Sequence, residues 1–131
     1  MEIVPETGVV PIKFGMTMDE VKKLLGQPDP APGKPLQYRS LGLAVIPSSK
    51  DGTVGAIMMG DTGGGQLVER FKGVTTKGVG MKSTRQEIVA AYGQPEGAKS
   101  TEDGLEDLSY DSGRTRFALR DGRVVHITLR R

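Results

Sequence analysis

The sequence predicts an α+β domain. Two tandem helix-plus-three-strand repeats are expected, related by pseudo-twofold symmetry, with two short helices covering an antiparallel sheet. Three observations carry this expectation. A segment recurs along the chain, each copy ends in Gly-Gln-Pro, and each is followed by a polar loop and then short apolar runs. The first copy, Thr17 to Pro28, aligns with the second, Thr84 to Pro95, with five identities in twelve positions. Phe14-Gly15-Met16 and Val79-Gly80-Met81 precede the two copies, and Leu36-Gln37-Tyr38 and Leu108-Ser109-Tyr110 follow them in the same order.

Each copy reads as a helix with defined ends. Thr17 and Thr84 are N-cap residues whose hydroxyls can accept an orphan helical N–H. Glu20 and Glu87, three residues on, can return a bond to the cap amide, completing a capping box. Val21, Leu24 and Leu25, and then Ile88, Ala91 and Tyr92, recur at i, i+3, i+4 and form one apolar stripe per helix. Gly26 and Gly93 suit the left-handed residue past the helix end, and Pro28 and Pro95 prevent continuation. Capping accounts for both glutamates, so neither is read as a catalytic acid.

Strands are expected near 35–39, 42–47 and 53–59 in the first repeat, and near 106–111, 114–120 and 123–130 in the second. For the last hairpin, a two-residue Asp121-Gly122 turn would pair Arg116 with Ile127 and mix charged with apolar side chains. A three-residue loop with a left-handed Gly122 avoids this by pairing Phe117 with Val125 and Thr115 with Ile127. It places Thr115, Phe117, Leu119, Val125 and Ile127 on one face, and Arg114, Arg116, Ala118, Val124, His126 and Thr128 on the other. Because a buried face fixes register, the three-residue loop is preferred.

Length and composition fit one domain over 1–131, with repeat 1 at about 9–59, a linker at about 60–72 and repeat 2 at about 73–131. The linker contains Gly60-Asp61-Thr62-Gly63-Gly64-Gly65, which lacks both phosphate-binding glycine motifs and reads as a flexible link. With no cysteine, disulfides and thiolate sites are excluded. No apolar run approaches the roughly 18 residues of a membrane span. Met1 to Pro5 carries no secretory signature, so the expected compartment is the cytoplasm, or the periplasm or exterior if a leader is removed.

Net charge is +2, distributed unevenly. An acidic stretch of Glu102, Asp103, Glu106, Asp107 and Asp111 precedes Arg114, Arg116, Arg120, Arg123, Arg130 and Arg131, opposed only by Asp121. The acidic pairs lack calcium-loop spacing and read as an exposed loop, so no metal or cofactor is expected. Six aromatic residues and no Trp are too few for base stacking, which ranks nucleic acid last among partners. Tyr38, Tyr110 and the methionines Met16, Met18, Met58, Met59 and Met81 read as core packing. His126 is the single histidine. It reads first as a solvated strand residue, and if functional as part of an anion-binding face with Arg114 and Arg116.

The run Phe/Val-Gly-Met, Thr-x-x-Glu-Val/Ile, Leu/Tyr-Gly-Gln-Pro, Tyr, Asp-Gly, Ile resembles the β-lactamase inhibitor protein-like superfamily, which includes small outer-membrane assembly lipoproteins. That resemblance covers most of 14–59 and 79–130. It implies a tandem α/β pair presenting a sheet face to a protein partner, and a binder rather than an enzyme. The chain has neither a lipidation cysteine nor the inhibitor's disulfides and Trp, so a β-lactamase target is not implied. The expected function is therefore a non-enzymatic, inhibitor-like protein-binding module acting through Arg114, Arg116 and His126, with no catalytic residues. The alternative is a small hydrolase or anionic-ligand-binding domain using His126, Arg116 and a carboxylate such as Asp111.

Overall fold

Thr17 and Thr84 form the caps that their spacing requires. In the computed structural model, which describes residues 1–63 and 65–131, helices α1 (Met18–Leu25) and α3 (Arg85–Tyr92) each begin with a complete capping box. Thr17 Oγ1 accepts from the Glu20 amide at 3.1 Å while Glu20 Oε1 accepts from the Thr17 amide at 3.1 Å; the Thr84 and Glu87 bonds are 3.1 and 2.9 Å. Those bonds from the threonine backbone and hydroxyl hold both glutamates below the ordinary carboxylate range. Gly26 and Gly93 end the helices, and their carbonyls accept the hydroxyls of Tyr38 and Tyr110 at 2.9 and 3.0 Å.

The expected arrangement of two helix-plus-three-strand repeats under two helices does not hold. Among the described residues, strand is the main regular structure, in two sheets, with three short α-helices. One antiparallel sheet has seven strands in the order β4-β5-β6-β11-β10-β9-β8: β4 (Leu36–Tyr38), β5 (Leu43–Pro47), β6 (Val54–Gly60), β8 (Gly97–Ser100), β9 (Leu105–Tyr110), β10 (Thr115–Arg120) and β11 (Arg123–Arg130). A smaller sheet has the order β3-β2-β1-β7, from β1 (Glu2–Val4), β2 (Gly8–Val10), β3 (Ile12–Lys13) and β7 (Val74–Thr75), with β7 parallel to β1. Helix α2 (Gln66–Arg70) falls within the expected linker, whose Gly64 lies outside the described residues.

Dimensions explain the correction. Seven strands span about 30 Å, whereas two helices side by side, each about 10 Å wide, cover about 20 Å. The remaining apolar face needs another layer, and the small sheet supplies it. Ile3, Val9 and Ile12 from that sheet are fully buried, in one core with Val21 of α1, Ile88 of α3, and Ile57, Met59, Phe117, Ile127 and Leu129 of the large sheet. All six aromatic residues belong to this core: Tyr38, Phe71, Tyr110 and Phe117 are buried, and Phe14 and Tyr92 pack against it. Met59 is a fully buried core residue and Met16, Met18 and Met81 pack partly buried against the core, but Met58 faces the opposite side of the sheet.

The last hairpin also departs from expectation. Asp121 and Gly122 both have positive φ, 53° and 77°, and form a two-residue turn with Arg120 opposite Arg123. The extra residue is Val125, unpaired in the strand rather than in the turn, between the Leu119–Val124 and Ala118–His126 pairs. This bulge returns Ile127 to the face of Phe117, removing the objection to a two-residue turn. It also exchanges the expected places of two valines. Val124 enters the main core, while Val125 packs with Leu105 and Val68 of α2 at one end of the other face.

Candidate functional site

Among the described residues, no layer covers most of the second face of the large sheet. Strand alternation places Ala44 and Ile46 of β5, Ala56 and Met58 of β6, His126, Thr128 and Arg130 of β11, Arg116 and Ala118 of β10, and Asp107 of β9 on it. At its centre lies a cavity of about 310 Å³, bordered by Met58, His126, Thr128, Arg116 and Asp107 among others. A second cavity of about 300 Å³ shares Met58, Thr62 and His126 with it and runs toward Gln37, Arg39 and Leu67. A third, of about 700 Å³, shares Ile46, Ala56 and Arg130 and opens toward Lys50 and Arg131. The shared walls join them into one groove across the sheet.

His126 stands where the first two cavities meet. It is half-buried, opposite Ala118 and Gly60, and its Nε2 lies 3.0 Å from Thr128 Oγ1. Burial holds its pKa below the ordinary imidazole value, while the Gly60 backbone and the carboxylates of Asp61 and Asp107 act in the opposite direction. The ring is thus neutral at pH 7 and can donate or accept at Nε2. Its Nδ1 is buried without a well-formed hydrogen bond. A histidine serving as general base is normally oriented through its second nitrogen; here the Gly60 backbone acts on the ring in that sense, through a poorly formed bond.

A positive-φ glycine shapes this corner. Gly60 has φ 72°, and a Cβ there would lie 2.3 Å from the Val125 carbonyl oxygen and 2.8 Å from Met81 Sδ. Only glycine lets β6 approach the bulged part of β11 this closely. Arg120 closes the same end, donating to the Thr62 carbonyl at 2.6 Å and the Asp103 carbonyl at 3.0 Å.

The structure separates the expected site residues. Arg116 and His126 both line the groove, but on diagonal rather than directly paired positions, because the bulge sets Arg116 opposite Thr128. Arg116 donates to Asp107 at 3.4 Å and to the Gly113 carbonyl at 3.3 Å, with its side chain 45% exposed. Arg114 precedes β10, is exposed, and borders none of the three cavities; its carbonyl accepts from the Arg130 amide. Asp111 lies in the 111–114 turn with φ 53°, and the carboxylate beside His126 and Arg116 is Asp107 instead. Glu106 and Asp107 are not free loop acids. They sit in β9 and pair with Arg85 at 3.1 Å and Arg116 at 3.4 Å. Sequence reasoning missed Arg130, Met58 and Asp107 as groove residues; the β6–β11 pairing that brings Met58 to this face leaves no local signal.

The fold class is therefore a seven-stranded antiparallel sheet layered on one face by helices and a small second sheet. No family model and no curated protein matches the sequence. Among solved structures, the crystal structure of YjgB, a DUF4309 family protein from Bacillus subtilis, is similar over 95% of this chain and 87% of that one, with TM-score 0.63 and 15% identity. At that identity the likeness shows the fold alone, and the family name, a domain of unknown function, carries no activity. No helix among the described residues is long and apolar enough to cross a membrane.

Proposed function

We propose that the chain is a non-enzymatic binding module that holds a protein partner against the open face of the seven-stranded sheet. The observation that supports this reading is the contrast between the faces. One is sealed by α1, α3 and the small sheet, whereas the other presents a continuous groove of half-buried apolar side chains bordered by arginines. A mixed apolar and arginine-bearing surface is the composition that protein interfaces favour. The resemblance of the repeated motifs to a group of protein binders points the same way.

Site-specific photo-crosslinking tests the proposal. A benzophenone side chain at Thr128, on the groove floor, is expected to capture a protein in cells of the source organism. The same group at Val74, exposed on the small sheet, is not. Equal capture at both positions, or none at Thr128, would refute it.

A further inference from the structure

We infer that the groove takes an extended acidic peptide segment, a conclusion that rests on the binding-module reading above and specifies its partner. Three observations select this occupant. The first is size. From Ala44 on β5 to Asp107 on β9 the groove crosses five adjacent strands, a distance of about 19 Å that matches about six residues of extended chain. The second is charge. Arg39, Lys50 and Arg130 border the groove and make no salt bridge among the described residues; of the carboxylates there, Asp107 and Asp51 are paired with Arg116 and Arg131, which leaves Asp61 alone against three cations. Arg116 is 45% exposed despite its carboxylate partner, so it can accept a second one. The third is the absence of rings. All six aromatic residues lie on the sealed side, so the groove offers no stacking platform for nucleobases or sugar rings. Ile46, Ala56 and Met58, half-buried and apolar, lie on β5 and β6, to one side of Arg130 on β11 and Arg116 on β10. An occupant that crosses the strands would therefore set aliphatic side chains over β5 and β6 and carboxylates over β11 and β10.

Three capped hexapeptides provide the test: three Leu joined to three Glu, to three Gln, or to three Lys, each titrated into the isotopically labelled full chain. The Leu–Glu peptide is expected to shift amide resonances in β6, β10 and β11 and to bind at least about tenfold more tightly than Leu–Gln, with affinity falling as salt rises. In R116E/R130E the order of preference should invert toward Leu–Lys. R116Q/R130Q serves as a second variant and should lose the preference without inverting it; an unchanged amide spectrum elsewhere confirms that each variant is folded. If Leu–Gln binds as tightly as Leu–Glu, the charge rule is overturned and the binding-module reading stands. If no hexapeptide binds, or a single-stranded oligonucleotide binds as tightly as Leu–Glu, the acidic-peptide inference fails and the Thr128 crosslink alone judges the module. Shifts confined to the small sheet or α1 would sink both.

Discussion

The two faces of the seven-stranded sheet are built from the same strands by alternation, yet they follow different rules. On the sealed face, Ile57, Met59, Phe117, Ile127 and Leu129 are wholly buried beneath three kinds of cover: helix, small sheet and aromatic cluster. One residue along each strand, Met58, His126 and Thr128 share a face with arginines and remain partly accessible. The comparison teaches that stability and recognition have been assigned to opposite sides of one element. Substitutions should sort by side rather than by strand.

The largest effect expected is on the sealed face. Phe117→Ala removes a ring that packs 5.8 Å from Tyr92 and 5.9 Å from Tyr110. It should cost about 3–5 kcal/mol in urea denaturation, the range for a fully buried aromatic. Met58→Ala, on the same sheet but the open side, should cost about 1 kcal/mol or less because its side chain is only half-buried. If the two costs were equal, the comparison would break.

Gly60→Ala comes next. A side chain there meets both an unfavourable φ and the Val125 carbonyl, and a loss of about 2 kcal/mol is expected. Amide shifts should concentrate on His126 and its neighbours. Removal of a helix cap ranks lower. Thr17→Ala and Thr84→Ala should each lose about 1 kcal/mol, and with independent helices the losses should add.

The smallest effects are in pH dependence, and their signs are defined. His126 has a folded pKa below 6.5, so below pH 6.5 the unfolded chain takes up a proton that the native groove resists. Stability should therefore fall as pH drops from 6.5 toward the folded pKa, and His126→Gln should flatten that part of the melting-temperature profile. Glu20 and Glu87 act in a more acidic window. Their folded pKa values lie below 4.5, so the stability they contribute is present above 4.5 and is lost as pH falls through the folded values. Thr17→Ala and Thr84→Ala should weaken the acidic window and leave the one near 6.5 unchanged.

Local chemistry was legible in the sequence, and long-range pairing was not. Thr17 with Glu20, and Thr84 with Glu87, lie three residues apart, so their capping boxes could be read without knowledge of the fold. The strands of β9 to β11 were visible because their alternation is long. The small sheet was missed because β1, β2, β3 and β7 run only two or three residues each, too short for a period to show. The bulge at Val125 was displaced into the turn, because face arguments count an extra residue without locating it. For the site, Arg116 and His126 could be singled out by type and strand. Met58 joins them only through the β6–β11 ladder, whose partners lie far apart in the chain, whereas Asp107 and Arg130 lie on the β9–β11 meander and follow from its alternation.

The seam between β6 and β11 has an implication for how the molecule is made. Ile127 of the central strand lies between Met59 and Phe117, yet it is synthesised long after β4, β5 and β6. A nascent chain lacking residues 123–130 would expose two unzipped inner edges and the greasy sides of Ile57 and Phe117, a template for association with other copies. Contacts this distant in sequence also delay folding. The large sheet should therefore be completed only when β11 joins its two halves, and folding is expected to be slow for a domain of this size.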